Sequence, residues 1–152
     1  MDEILKREIN QLIKESVTEI LEERKGRLDE MARVAEFGDH YDILVYMDDM
    51  GKIPHVHVVD KATRGMDFDC CVQLLRPQYF QHGHHIDTMP TRMCKEFNNI
   101  MHQPHRNPRF QNVYEYAADL WNNNNSDTYV QVQTDNEGNV IVPDYRHIYD
   151  YK

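Results

Sequence analysis

The stretch from Tyr41 to Asp60, YDILVYMDDMGKIPHVHVVD, decides how the chain folds. Ile43 to Met47 is rich in β-branched and aromatic side chains, Asp48 to Lys52 holds turn-forming Asp and Gly, and Val56, Val58 and Val59 resume the strand signal. The reading is a hairpin. Side chains alternate across a strand, so Val56 and Val58 point one way while His55 and His57 point the other, roughly 7 Å apart. Pro54 lacks a backbone donor and belongs at the start or edge of its strand. A third strand is predicted over Phe68 to Leu74, with Phe68, Cys70, Val72 and Leu74 on one face and Asp69, Cys71 and Gln73 on the other. If it lies beside the histidine strand, then His55, His57, Asp69 and Cys71 form one cluster of nitrogen, oxygen and sulfur donors.

Before the hairpin, Leu5, Ile9, Leu12, Ile13, Val17, Ile20 and Leu21, then Leu28, Met31, Val34 and Ala35, recur at three- and four-residue spacing. That periodicity predicts a long amphipathic helix from Met1 to about Glu36, with Gly26 as a bend and acidic residues favouring its first turn. A stripe of this length exceeds what a small sheet covers, so Leu5, Ile9, Leu12, Val17 and Ile20 are candidates for self-association or for docking a protein partner. Folding back over the sheet as a lid is the plainer alternative.

After the third strand, Arg76 to Thr88, RPQYFQHGHHIDT, reads as a loop whose His82, His84 and His85 form a secondary metal candidate, although such tracts are more often simply exposed. Pro90 falls in the first turn of a helix, with Thr88 or Thr91 as cap, and Met93, Phe97, Ile100 and Met101 make its apolar stripe before Pro104 stops it. Asn112, with Glu115 three residues on, opens a second helix whose Val113, Tyr116, Ala117, Leu120 and Trp121 share a face. The run Asn122 to Asn125 closes it. A final hairpin is predicted, Thr128 to Gln133 and Asn139 to Val142, around a turn at Asp135 to Gly138, followed by the tail PDYRHIYDYK. The predicted fold is therefore α+β: a small antiparallel sheet packed with helices, preceded by the long helix and followed by the hairpin. The divisions are residues 1–37, a core domain over 38–125, and 126–152.

Composition narrows the function classes. At 152 residues with a formal net charge of -9, the chain lacks the cationic footprint of a protein that coats nucleic acid or anionic membrane. Its three cysteines make no paired framework, which predicts a reducing, cytoplasmic setting, and no apolar run approaches the roughly 18 residues of a membrane span. The charge is uneven, however. Residues 76–110 carry Arg76, Arg92, Lys95, Arg106 and Arg109 against only Asp87 and Glu96. Arg76, Arg92, Arg106 and Arg109 are thus candidate anion contacts, with Tyr79, Phe80 and Phe110 available for stacking, although ordinary solvated surface explains them as well.

At Pro54, His55, Val56, His57 and Val58 the sequence resembles the small bacterial and phage domain-of-unknown-function family 4160, whose signature is a Pro-His-x-His strand after a short hairpin. The likeness extends over about residues 42–122, through an acidic strand at Asp67 to Leu74, a Gly-containing connection at Gln81 to His85, and helices at Pro90 to Gln103 and Asn112 to Asn122. Ile53 stands where the family commonly has a second proline, and the family's members are usually shorter at both ends. The resemblance implies a compact α+β domain and a toxin-antitoxin-like gene context, with no reaction attached.

Two functions follow from these residues. Imidazoles at alternate strand positions converge, and Asp69 or Cys71 would complete a zinc-type or other divalent-metal site with an open place for water, which suits hydrolysis of a phosphoester, as in a nuclease. Alternatively the two imidazoles hydrogen-bond to backbone or carboxylate and serve recognition. No nucleophile elbow or phosphate loop is present, and a Cys71 nucleophile with His57 as base is disfavoured because strand-centred thiols are usually buried. The leading expectation is a non-enzymatic interaction or regulatory module, with no cofactor assured. The rival is a divalent-metal hydrolase using His55, His57 and Asp69.

Overall fold

The computed structural model describes residue 4 and residues 6–11, 31–46, 53–80, 87–125 and 128–150. The chain divides into two compact units, Met1–Met31 and Ala32–Lys152. In the first, residue 4 and residues 6–11 are helical, and Ile9 lies in that stretch; Leu5, Leu12, Val17 and Ile20 lie outside the described residues. The second unit carries the sheet, and strand β1 (Met31–Phe37) begins at the boundary. No helix among the described residues is long and apolar enough to cross a membrane.

The long N-terminal helix is corrected by β1. Met31, Val34 and Phe37 are three residues apart, a spacing that imitates a helix, yet the segment is extended, with Val34 and Phe37 buried. Tertiary pairing overrides the local pattern here. Gly38, in the left-handed region at φ 62°, starts the turn that carries the chain directly into β2 (Tyr41–Tyr46). Strands β3 (His55–Asp60) and β4 (Asp69–Gln73) follow, and the antiparallel sheet has the order β1-β2-β3-β4.

Register fixes the two faces. Val58 pairs with Ile43 on one side and Cys70 on the other, while Val56 pairs with Val72. Directly opposed residues share a face, so Ile43, Val45, Val56, Val58, Cys70 and Val72 form one apolar surface. Helices α1 (Thr91–His102), through Phe97 and Met101, and α2 (Val113–Asn124), through Val113, Ala117 and Trp121, belong to the same buried cluster as these strand residues. The N-cap of α1 is Pro90, without a side-chain hydrogen bond, so neither Thr88 nor Thr91 caps it. Asn112 caps α2: its Oδ1 accepts from Glu115 N at 2.9 Å, and Glu115 Oε1 accepts from Gln111 N at 2.7 Å.

The C-terminal hairpin is also corrected. Its turn forms, since Asp135 Oδ1 accepts from the backbone of Glu137 and Asn139, but only the bridge Thr134↔Val140 joins its arms. The first arm is bonded elsewhere. Asn122 Oδ1 accepts from Val130 N at 2.7 Å, Asn122 Nδ2 donates to Val130 O at 2.9 Å, and Trp121 Nε1 donates to Thr128 O at 2.7 Å. Side chains of α2 thus take the bonds that a partner strand would need. Beyond this arm the tail returns to the sheet, where buried Tyr145 donates to Leu74 O at 2.8 Å.

The loop between β3 and β4 is held by one carboxylate. Asp60 accepts from Thr63 Oγ1 at 2.6 Å, Thr63 N at 2.8 Å, Gly65 N at 3.0 Å and Phe68 N at 3.2 Å. Desolvation alone would raise its pKa, but these donors outweigh it and hold the carboxyl down to about 2. A folded pKa below the unfolded value of about 3.9 gives stability that is complete above that pH and disappears as pH falls through the folded pKa. The advantage of the native chain over Asp60→Asn is therefore expected to be constant near neutrality and to shrink between about pH 4 and pH 2. Urea midpoints of both proteins across that range test this; a gap that stays constant down to pH 2 counts against it.

Candidate metal centre

The face of the sheet opposite the valines carries the donors. His57 pairs with Cys71 and with Leu44, His55 with Gln73, and Val59 with Asp69. His55, His57, Cys71 and Asp69 therefore meet on one surface, as the alternation of the two strands implies. All four are buried, with His55, His57 and Cys71 at 0% exposure.

Each imidazole has one nitrogen committed. His55 Nδ1 lies 2.7 Å from the carbonyl of Ile53, and since a carbonyl only accepts, that nitrogen carries the proton. His57 Nδ1 lies 2.9 Å from Asp69 Oδ1 and donates to it in the same way. In the tautomer that carries its proton on Nδ1, each ring turns an Nε2 lone pair toward the other, and those two atoms lie 3.2 Å apart. Two lone pairs at that distance repel unless a cation or a shared proton lies between them. Two nitrogens bound at 2.0–2.1 Å to a tetrahedral ion stand about 3.3 Å apart, so the separation suits a metal.

Cys71 Sγ is 3.3 Å from His57 Nδ1 and 3.9 Å from Nε2. The ligand atoms that His55, His57 and Cys71 can offer all lie within 4.8 Å of one another, so this buried group could hold a metal ion. Asp69 does a different job in this geometry: it orients His57 from the far side of the ring, the arrangement that fixes tautomer and raises ligand basicity at metal sites. Both Asp69 and Cys71 approach His57 at Nδ1. A nucleophile–base–acid relay needs its two partners on opposite nitrogens, so the contacts do not form one.

Aromatic rings wall the cluster. Tyr46 lies 4.0 Å from His57 between centroids, while Phe80 and Trp121 lie 4.7 Å and 5.3 Å from His55. The backbone of Asp69 is itself pinned, its N–H donating to Asp87 Oδ2 at 2.9 Å. Gly65, at φ 95°, sits against this carboxylate so closely that an added Cβ would come within 3.2 Å of Asp69 Oδ2. No protein-family profile, curated protein or solved structure matches the chain.

The remaining sequence candidates are scattered. His82, His84 and His85 lie outside the described residues. Arg76, Arg92, Arg106 and Arg109 are all exposed; Arg92 pairs with Glu96 at 3.8 Å, and Arg109 lies over the Phe110 ring at 5.4 Å. The neighbouring Cys70 points to the valine face, where burial, reinforced by the charge of Asp69, pushes its thiol pKa far up and leaves it inert. The sequence pattern puts Trp121 on the apolar face of its helix but does not connect Trp121, Phe80, Tyr46 or Asp87 with the histidines. Only Tyr46 had a local signal, since it lies two residues beyond Leu44 on the face of His57.

Proposed function

We propose that the chain is a non-enzymatic binding or regulatory domain whose sheet is braced by one divalent d-block cation, zinc foremost, on His55 Nε2 and His57 Nε2, with Cys71 as third ligand once its Sγ turns from the Nδ1 side of the His57 ring toward the two facing nitrogens. The observation that carries this reading is the pair of Nε2 atoms facing at 3.2 Å while both Nδ1 atoms donate elsewhere. Charge supports a dication. A Cys71 thiolate and the Asp69 carboxylate together supply two negative charges, which a divalent ion neutralises inside a ring-lined site. A soft sulfur with two imidazoles suits zinc better than magnesium or calcium, which prefer oxygen.

Burial separates this reading from the hydrolase. Catalytic zinc must be reached by water and substrate, and His55, His57 and Cys71 have no exposed surface, which favours a site that substrate does not enter. The test is elemental analysis of untagged protein purified without chelator, beside the His55→Ala, His57→Ala double variant and Cys71→Ser. About one zinc per native chain is expected, absent from the double variant and reduced in Cys71→Ser. A native protein that stays metal-free after incubation with zinc refutes the proposal. Metal-loaded protein is expected to leave phosphoesters intact; hydrolysis that disappears in the double variant would install the hydrolase instead.

A further inference from the structure

The wall of the centre is tied to a segment about seventy residues away in sequence. Residues 78 to 80 run beside β4: Gln73 N donates to Gln78 O at 2.9 Å, and Phe80 N donates to Cys71 O at 2.9 Å, which sets the Phe80 ring against His55. On its other side this segment is clamped by the C-terminal tail. Tyr79 N donates to Tyr149 O at 2.9 Å, and Tyr149 N donates to Pro77 O at 2.8 Å, forming a parallel bridge between Gln78 and Tyr149. Tyr145, fully buried, anchors the strap through its hydroxyl on Leu74 O.

We propose that this C-terminal strap is a retention device for the centre: while Tyr149 is paired with Pro77 and Tyr79, Phe80 shields the His55 ligand, and when the strap lifts the ion exchanges with solvent. The inference rests on the metal reading above. Its physical content is a continuous path of backbone hydrogen bonds from Tyr149 through Tyr79 and Phe80 to Cys71, a candidate ligand residue. Such a path shows contiguity, and only a measured change in exchange shows coupling.

The experiment follows zinc release from the loaded full chain into excess chelating dye by stopped flow. Tyr149→Pro removes the N–H that bonds Pro77, and Tyr145→Phe removes the anchoring hydroxyl with little change of shape. Val34→Ala, on β1 at the opposite edge of the sheet, loosens the core without touching the strap. Release is expected to be about tenfold faster in Tyr149→Pro, the factor that one or two lost hydrogen bonds represent, and severalfold faster in Tyr145→Phe, with Val34→Ala at the native rate. Native rates in both strap variants, or equal acceleration in all three, overturn the strap. A native chain that binds no zinc overturns the centre itself, an outcome seen before any variant is made.

Discussion

Trp121→Ala is expected to destabilise the chain by about 3–5 kcal/mol. Trp121 is fully buried in the cluster that joins α2 to the sheet, and it has three jobs at once. Its ring fills volume that the surrounding backbone cannot collapse into, its Nε1 supplies Thr128 O with a donor at 2.7 Å, and its edge lies beside His55. A domain of ordinary stability has about 5–15 kcal/mol in total, so the variant sits near the unfolding threshold. Urea unfolding followed by far-ultraviolet circular dichroism measures the loss. Trp121→Phe restores most of the volume but not the donor, and should recover more than half of the deficit. A loss under about 1 kcal/mol for Trp121→Ala would show that α2 is not what holds this face closed.

Asp69→Ala is expected to weaken zinc binding by about 10–100-fold while the chain stays folded. The carboxylate touches His57 at the nitrogen remote from the facing lone pairs, so its removal leaves the three proposed ligands in place. Two effects are lost: the anchor that holds the proton on Nδ1, and one of the two negative charges that balance a dication. Asp69→Asn separates them, because its amide oxygen still accepts from Nδ1 but carries no charge. It should fall between the native protein and Asp69→Ala in a competition titration against a zinc-binding dye. Unchanged affinity in both variants would reduce Asp69 to a residue of the turn, and a complete loss of metal in Asp69→Asn would place it among the ligands.

The part of this site that was legible in sequence is the part governed by a period of two. His55 and His57 against Val56 and Val58, and Asp69 and Cys71 against Cys70 and Val72, sort themselves by alternation, and adjacency of two antiparallel strands brings the polar sets together. Capping of α2 by Asn112 was legible for a similar reason, since the signal spans three residues. What failed was decided at long range. Nothing local tells Met31 to Phe37 that it will pair beside β2, and its three-residue apolar spacing continues the helical pattern before it. The turn at Asp135 is encoded locally, but Asn122, earlier in the chain, claims both polar groups of Val130 and keeps the arms from zipping. Phe80 and Trp121 come to the histidines from a loop and a helix, and no spacing rule links them to His55.

The strap has a kinetic consequence for how the protein assembles. Pairing of β2 with β3 and of β3 with β4 closes short loops, contacts of low sequence separation that form early. The Tyr145 hydroxyl reaches Leu74 across 71 positions, a closure whose entropy must be lost before its contacts compensate. This separation predicts an order in time: the strands bearing His55, His57 and Cys71 are expected to come together first, with the proposed strap closing over Phe80 last.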